Sequence, residues 1–481
     1  MRRFIGFLFT VALLAFVAGA SWARPPRKLN VDAYIKTAKI EILSGDPERY
    51  LYAAAMLDSL FMNYGPHAEG YYLCSQMAVD GIETSSGPVD KLPYVQTMVA
   101  YADSLRSCCA DKKVKEKYRK GCDEFVTKSD SVGVLYWRQF YNAGIEQLKL
   151  MDTLQKELAT LSDSSTMAYL NGGIAANYDS CKANFALCLT IDSADTRAYV
   201  AMGTAYQQNQ EYDQAITWRA KGLDLIEAAV AKAVAEGKEV NPEILDAKAT
   251  LLQTVAYDYI NLNNYAEAVP YMARLIEVMQ QLPQQEPASV VTTMFNLSIC
   301  LNNTKQYDSA LSVFHSILDV DPNHVDAISG VGRYYNEMGR WAADSVKVYE
   351  AASDDAGVTK WQDRRQEMFD SSRTYFKRAF DINPDDEFNT GMYALVSAIT
   401  MNFEDAAVAF QKMTELEPEN AENFISLGDC NLNLKRFEQA IAAYEKVVEL
   451  KPNKKEIWQQ LADLYHQQNM SAKEAEARKH L

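Results

Sequence analysis

The chain has 481 residues, of which 48% are hydrophobic, with 21 glycines, 14 prolines and a formal net charge of −16. The low glycine and proline contents disfavour a turn-rich β protein and fit long helices with short connections, while the hydrophobic fraction excludes a disordered chain. The negative charge disfavours nucleic acid as a partner and repels anionic lipid headgroups at long range.

The first 23 residues have the pattern of a secretory signal peptide. Arg2 and Arg3 give a positive start, an apolar run covers residues 4–17, and small residues follow as AGA and SWA. We expect cleavage after Ala23, with Ala20 as the second choice. The alternative is a retained anchor, although residues 4–20 would span only about 25 Å as a helix, slightly less than a bilayer core. The short signal predicts an exported bacterial protein, periplasmic or secreted, with no stable membrane span after cleavage.

Eight cysteines in an exported chain raise the question of disulfides. Cys181 and Cys188 are seven residues apart on one predicted helix, which is too far to bridge. Cys300 and Cys430 each stand alone in a predicted helix and are expected to be small core residues. One disulfide is expected within an N-terminal group of four, and the sequence leaves the pairing open. The four are Cys74, Cys108, Cys109 and Cys122.

A repeated segment dominates the C-terminal half. Each copy has an aromatic residue, a small residue three positions later, an aromatic residue at seven and a proline at fifteen. The copies are YDSALSVFHSILDVDPN, FDSSRTYFKRAFDINPD, FEDAAVAFQKMTELEPEN and FEQAIAAYEKVVELKPN, which start at residues 307, 369, 403 and 437. Offsets of three and seven lie on one helical face, and proline ends the helix. The prolines are 62, 34 and 34 residues apart, and a period of 34 indicates a stack of helix pairs.

Motifs for the other helix of each pair accompany these segments. FISLGDCNL contains Leu427 and Gly428, and IWQQLADLY contains Leu461 and Ala462. The small residue of the first helix precedes that of the second by twelve positions, as Gly428 precedes Ala440. The other pairs with this spacing are Gly203 and Ala215, Ala256 and Ala268, Ser298 and Ala310, and Ala394 and Ala406. Together these motifs resemble the tetratricopeptide repeat, in an exported bacterial protein. The resemblance implies an all-α fold, a solenoid superhelix of antiparallel helix pairs.

The resemblance also suggests how the chain is divided. Residues 196–481 are expected to form the tetratricopeptide array, with a helical insertion near 341–368. Residues 24–195 are expected to be helical with degenerate repeats and an insertion near 149–177. Both insertions are predicted to lengthen the helices of a pair, either as tolerated surface additions or as projections on which a partner docks.

The family binds its ligands in a concave groove lined by the first helices. Carried over position by position, the resemblance implies a partner-binding groove with amide side chains for a peptide backbone and aromatic anchors. The residues at these positions are Gln253, Tyr257, Asn261, Phe295, Asn302, Asn303 and Arg333.

No motif in the sequence predicts catalysis. The five histidines are scattered, and none has the spacing of a metal site. The GVG at residues 330–332 lies within a predicted helix, where it is expected to serve packing. We therefore predict a protein without enzymatic activity, metal or cofactor.

Three functional hypotheses follow. The first is a non-enzymatic scaffold or adaptor of the cell envelope that binds a protein or peptide in the groove or on the helical insertions. The alternative is an exported receptor for a small molecule or glycan, built on the same helical scaffold and using the aromatic-rich N-terminal part. The third, an enzyme with its active site within residues 67–195, has no motif in its favour.

Overall fold

The computed structural model describes residues 29–44, 47–161, 163–282 and 286–481, and the predicted signal peptide lies outside them. Within these residues all regular elements are helical, which confirms the predicted all-α helical-repeat solenoid. Nowhere in these ranges is a helix long and apolar enough to cross a membrane. Two compact units make up the described chain, one ending at Asn264 and the other running from Tyr265 to Leu481. The boundary expected after residue 195 remains a prediction.

The first unit contains helices α1 to α9. Their bounds are Val31–Ile42, Pro47–Tyr64, Ala68–Thr84, Pro88–Ala110, Cys122–Leu158, Ser164–Ile191, Thr196–Gln208, Tyr212–Ala235 and Pro242–Asn261. The second unit contains α10 to α20. Their bounds are Tyr265–Met279, Pro287–Asn303, Tyr307–Val320, Val325–Ala351, Asp355–Ile382, Glu387–Ile399, Phe403–Leu416, Ala421–Asn433, Phe437–Leu450, Lys455–Gln467 and Ser471–Ala477. Several helices begin at an Asn or Asp cap, such as Asn420, whose side chain accepts a hydrogen bond from Glu422 N.

In several helix pairs a large side chain lies on a small residue of the other helix. A Cβ added to Gly428 of α17 would lie 2.4 Å from the ring of Tyr444 in α18, so only glycine fits beneath this ring. Gly144 and Phe185 form the same contact between α5 and α6, where the added Cβ would lie 2.5 Å from the ring. Aromatic residues of the second helix therefore pack on the first helix of their own pair, as the repeat predicts.

The turns inside the pairs repeat at the same interval. Met401, Lys435 and Asn469 lie 34 residues apart in left-handed backbone, with φ of 59°, 59° and 57°. The next residue donates its N–H to a carbonyl five positions back, as Asn402 does to Ser397 at 2.8 Å. This is the Schellman ending of a helix, which satisfies carbonyl groups that would otherwise lack partners. The backbone thus shows the period found in the sequence.

Two pairs are longer than the rest. In the first unit α5 has 37 residues and α6 has 28, and in the second unit α13 has 27 and α14 has 28. The residues that interrupt the sequence period lie in these helices, where they extend the pair by added turns.

One disulfide forms among the four N-terminal cysteines. Cys109 at the end of α4 is bonded to Cys122 at the start of α5, with 5.7 Å between their Cα atoms. Cys74 and Cys108 are free and buried, as are Cys181, Cys188, Cys300 and Cys430. Burial raises the pKa of the Cys300 and Cys430 thiols to about 11, which fits inert core residues.

An arginine takes the place of the packing aromatic in one pair. Arg219 lies seven positions after Tyr212 and is only 1% exposed, and a Cβ added to Gly203 would lie 2.6 Å from its side chain. Its guanidinium donates to the carboxylate of Asp258 in α9 and to Gln207 Oε1 at 2.7 Å. Burial raises the pKa of Asp258, and the adjacent Arg219 opposes that shift. Arg219 therefore joins three helices of the first unit, α9 through an ion pair and α7 through a hydrogen bond.

Replacement of Tyr444 by alanine tests the ring-on-glycine contact. Tyr444 is fully buried, and its hydroxyl donates to Asp429 Oδ1 at 2.5 Å. We expect Tyr444→Ala to lower the free energy of unfolding by about 3–5 kcal/mol, and Ala440→Leu in the same helix to lower it by about 1–3 kcal/mol through overpacking. Urea denaturation measures both. Tyr444→Phe, which keeps the ring, should lose only about 1 kcal/mol. An unchanged midpoint for Tyr444→Ala would contradict the packing assignment.

A second prediction concerns the buried ion pair. Asp258→Ala should lower the free energy of unfolding by about 3–5 kcal/mol, because Arg219 keeps its buried charge without a counter-ion. The double variant Arg219→Met, Asp258→Leu should recover most of that loss, since apolar residues of similar size need no charge partner. Thermal denaturation followed by circular dichroism compares them. Equal losses in the single and double variants would show that shape, rather than charge, matters at this position.

Candidate functional site

Three of the predicted groove residues lie in the first unit. Gln253, Tyr257 and Asn261 follow one another at intervals of four on α9 and so share a helix face. Gln253 and Asn261 are exposed and Tyr257 is half-buried, whereas Val255 and Ala256 between them are buried. The face is open to a partner, and its role in binding remains a prediction.

The other four predicted residues lie in the second unit. On α11, Asn303 is exposed and its side chain donates to the carbonyl of Ile299 at 2.9 Å, while Asn302 is half-buried. Phe295 is half-buried beside Phe314, with 6.5 Å between the ring centroids, so it also contributes to helix packing. Its ring centroid lies 5.9 Å from that of His324 as well.

Arg333 on α13 lies beside an exposed aromatic residue. Its guanidinium carbon is 5.7 Å from the ring centroid of Phe388, which is 51% exposed at the start of α15. Among the described residues no carboxylate lies within salt-bridge distance of Arg333, so the cation is open to an incoming anion. The two side chains join the exposed surfaces of α13 and α15.

The structure adds a site that the sequence prediction missed. Phe388, Leu395 and Ile399 are 51%, 48% and 44% exposed, and their spacing of seven and four places them on one face of α15. We call this set the α15 face. Ala394 is the small packing residue of α15, as Ser298 is of α11. Relative to these two residues, the α15 face occupies the same positions as Thr292, Ile299 and Asn303 on α11. The prediction stopped at Arg333, although the spacing of Ala394 and Ala406 already identified this register.

The first helices of the two following pairs, α17 and α19, carry polar and charged side chains at their surfaces. On α17, Glu422 accepts a hydrogen bond from the ammonium group of Lys454 at 2.8 Å, and Asp429 accepts one from the hydroxyl of Tyr444. On α19, Asp463 and His466 are exposed. The apolar α15 face therefore has a cation on its N-terminal side and acidic groups on its C-terminal side along the array.

A separate depression lies near the tip of the long α13–α14 pair. Trp341, 57% exposed, meets Trp361 edge to face with 4.8 Å between ring centroids. The open depression has a volume of about 960 Å³. It is lined by Ala356, Thr359, Lys360, Trp361, Asp363, Arg364 and Glu367. Neither in this depression nor in the other described residues does a cluster of three or more His, Cys, Asp or Glu side chains have the arrangement of a metal site.

A family model decides the identity of the repeats. The model for the tetratricopeptide repeat matches residues 402–464, which contain α16, α17, α18 and most of α19. This segment of the chain consists of tetratricopeptide repeats. The matched segment includes the contact of Tyr444 with Gly428, and the same kind of contact recurs in other helix pairs. Tetratricopeptide repeats serve in general as scaffolds for protein interaction, and members of the family are typically not catalysts.

Solved structures of other tetratricopeptide proteins are similar in part. A structure titled "MamA 41-end from Desulfovibrio magneticus RS-1" is 18% identical, with a TM-score of 0.28, and the match covers 43% of this chain and 96% of the other. The structure titled "Crystal structure of YrrB: a TPR protein with an unusual peptide-binding site" is 20% identical, with a TM-score of 0.27, and the match covers 47% and 87%. TM-scores this low support no argument about function. No curated protein sequence matches the chain.

Proposed function

We propose that the protein is an exported, non-enzymatic adaptor that binds a protein or peptide in the cell envelope through the first helices of its second unit. The observation that carries the proposal is the α15 face beside Arg333. The pattern of residues 1–23 supports export, and the proposed partner is therefore a protein or peptide of the periplasm or the cell exterior.

The α15 face suits apolar side chains of a peptide. An amphipathic helix presents apolar residues at spacings of three, four and seven, and the exposed side chains of α15 are spaced in the same manner. Burial of exposed Leu395 and Ile399 by a partner removes apolar surface from water, which stabilises the complex. Phe388 adds a rigid aromatic anchor.

Arg333 supplies specificity for a carboxylate. Its planar guanidinium can donate two parallel hydrogen bonds to an aspartate, a glutamate or a chain terminus. Because Asp429 of α17 and Asp463 of α19 repel such a carboxylate, the partner's acidic residue is directed to the Arg333 side of the α15 face. The expected ligand is a peptide with apolar side chains followed by an acidic group.

The α9 face of the first unit is proposed as a further contact. Gln253 and Asn261 carry amides that can both donate to and accept from a peptide backbone. The half-buried Tyr257 between them adds a flat apolar surface with a hydroxyl.

A second candidate function is a receptor for glycans. It is favoured by the exposed Trp341 and the depression that contains Trp361, Asp363 and Arg364, because flat aromatic faces with nearby polar groups suit sugar rings. In this case soluble glycans, rather than peptides, should raise the melting temperature of the protein.

Substitutions on the α15 face test the adaptor function. The protein is immobilised and exposed to a cell-envelope extract, and the retained proteins are identified by mass spectrometry and titrated individually. We expect Leu395→Glu to weaken binding of the retained partner at least about tenfold, because it places a charge at the centre of the apolar contact. Arg333→Glu should weaken it by reversing the charge that meets the carboxylate.

Val408 provides the matched control. It is 54% exposed on α16, a second helix, so Val408→Glu introduces the same charge outside the proposed surface. That variant should bind like the wild type, with all melting temperatures unchanged. Recovery of background proteins alone, or equal weakening by Val408→Glu, would refute the proposed surface. A melting-temperature shift produced only by glycans would favour the receptor.

A further inference from the structure

A strongly basic loop joins α4 to α5 in an otherwise acidic chain. Residues 111–120 read DKKVKEKYRK, with six basic and two acidic side chains. The segment thus has a formal charge of +4, whereas the whole chain has −16. We call residues 111–121 the basic loop.

The basic loop is fixed at several points. The Cys109–Cys122 disulfide closes its two ends. Tyr118 is buried, with its ring centroid 5.4 Å from that of His67. Arg119 Nε donates to the carbonyl of Val114 at 3.2 Å, which adds a hydrogen bond within the loop. The loop therefore presents its remaining charges from a defined backbone.

Five lysines of the loop point their charges into solvent. All five are exposed, and in the described part of the chain no carboxylate lies within salt-bridge distance of any of them. They are Lys112, Lys113, Lys115, Lys117 and Lys120. The ammonium groups of Lys117 and Lys115 lie 4.8 Å and 6.0 Å from the ring centroid of Tyr118, so both cations lie near the same ring. Like charges gathered without acidic partners repel one another, and an anionic surface would relieve that repulsion.

We propose that the basic loop is a docking site for a membrane surface rich in anionic phospholipid. Clusters of four to eight basic residues bind anionic headgroups through summed attraction and need no fixed geometry. Lysine suits this role because it is a hydrated point charge on a flexible stem. The single arginine donates its Nε–H to the carbonyl of Val114, and lysines supply five of the six positive charges of the loop.

The residue types of the basic loop fit an acidic protein or a nucleic acid less well than a membrane surface. Protein interfaces are enriched in arginine and aromatic residues and depleted in lysine, whereas five of the six basic residues here are lysines. Single-stranded nucleic acid needs exposed aromatic rings for base stacking, and the aromatic residue of the loop, Tyr118, is buried.

The negative charge of the whole chain does not prevent this contact. At physiological ionic strength the Debye length is about 8 Å, so acidic groups farther away are largely screened from the headgroups. Lysines at the membrane surface act within that distance. Attraction should therefore be local to the loop and weaken as salt rises.

Vesicle co-sedimentation tests the proposal. The oxidised chain without residues 1–23 is mixed with vesicles of phosphatidylcholine alone or with phosphatidylglycerol added, at low and high salt. We expect binding to the anionic vesicles only, lost at high salt. Replacing the five loop lysines by glutamine should lower the partition coefficient at least about tenfold.

A matched variant separates the loop from net charge. Lys36, Lys149, Lys221, Lys232 and Lys238 are exposed lysines of the same unit outside the loop. Their replacement by glutamine removes five positive charges as well, and it should leave vesicle binding within about twofold of the wild type. Melting curves confirm that both variants are folded.

Three outcomes would overturn the proposal. They are equal binding to neutral and anionic vesicles, equal loss in the two five-lysine variants, and capture by polyglutamate or single-stranded DNA without capture by vesicles. The result does not depend on the α15 face, so failure here leaves the adaptor proposal intact.

Discussion

The contact between a large side chain of one helix and a small residue of its partner determines the rest of this structure. Gly428 under Tyr444 and Gly144 under Phe185 bring two helix backbones close together, because no Cβ separates them. One helix pair alone would leave part of its apolar surface in water, so pairs stack on their neighbours. The sides of the first helices that do not contact a neighbouring helix can then carry exposed residues, such as those of the α15 face.

The candidate binding surfaces lie on the sides of the first helices that this packing leaves exposed. In the pairs of Gly144 and Gly428 the second helix supplies the ring and the first helix supplies the glycine. On α15 this leaves Phe388, Leu395 and Ile399 exposed over a buried layer that contains Tyr393 and Ala394. A surface with apolar residues above a rigid core is prepared for a ligand without further ordering of the backbone, which lowers the entropic cost of binding.

The sequence predicts the scaffold well because the packing rule is local. Offsets of three, seven and twelve residues appear directly in the order of amino acids, and helix geometry converts them into faces. The repeat pattern does not reveal the role of Arg219, because the pattern has an aromatic residue at a position where an arginine can fill the same space. The disulfide partner of Cys109 could not be chosen, since adjacent Cys108 and Cys109 differ only in the direction of their side chains on α4. The basic loop was hidden within a net charge of −16, because a sum over 481 residues conceals a local excess of lysines.

Arg219 also limits how the array could have grown. Repeat proteins lengthen or shorten by duplicating or deleting units, and this is tolerated when every unit meets its neighbours in the same way. The α7–α8 helix pair does not meet its neighbours in this way. The charge of Arg219 on α8 needs Asp258 on the following helix as well as Gln207 on the preceding one. A copy inserted elsewhere would bury a charge without its partner. The α7–α8 pair must therefore be followed by a helix that carries an acidic residue at the position of Asp258. The order of the helices at this point of the array is fixed by a charge requirement.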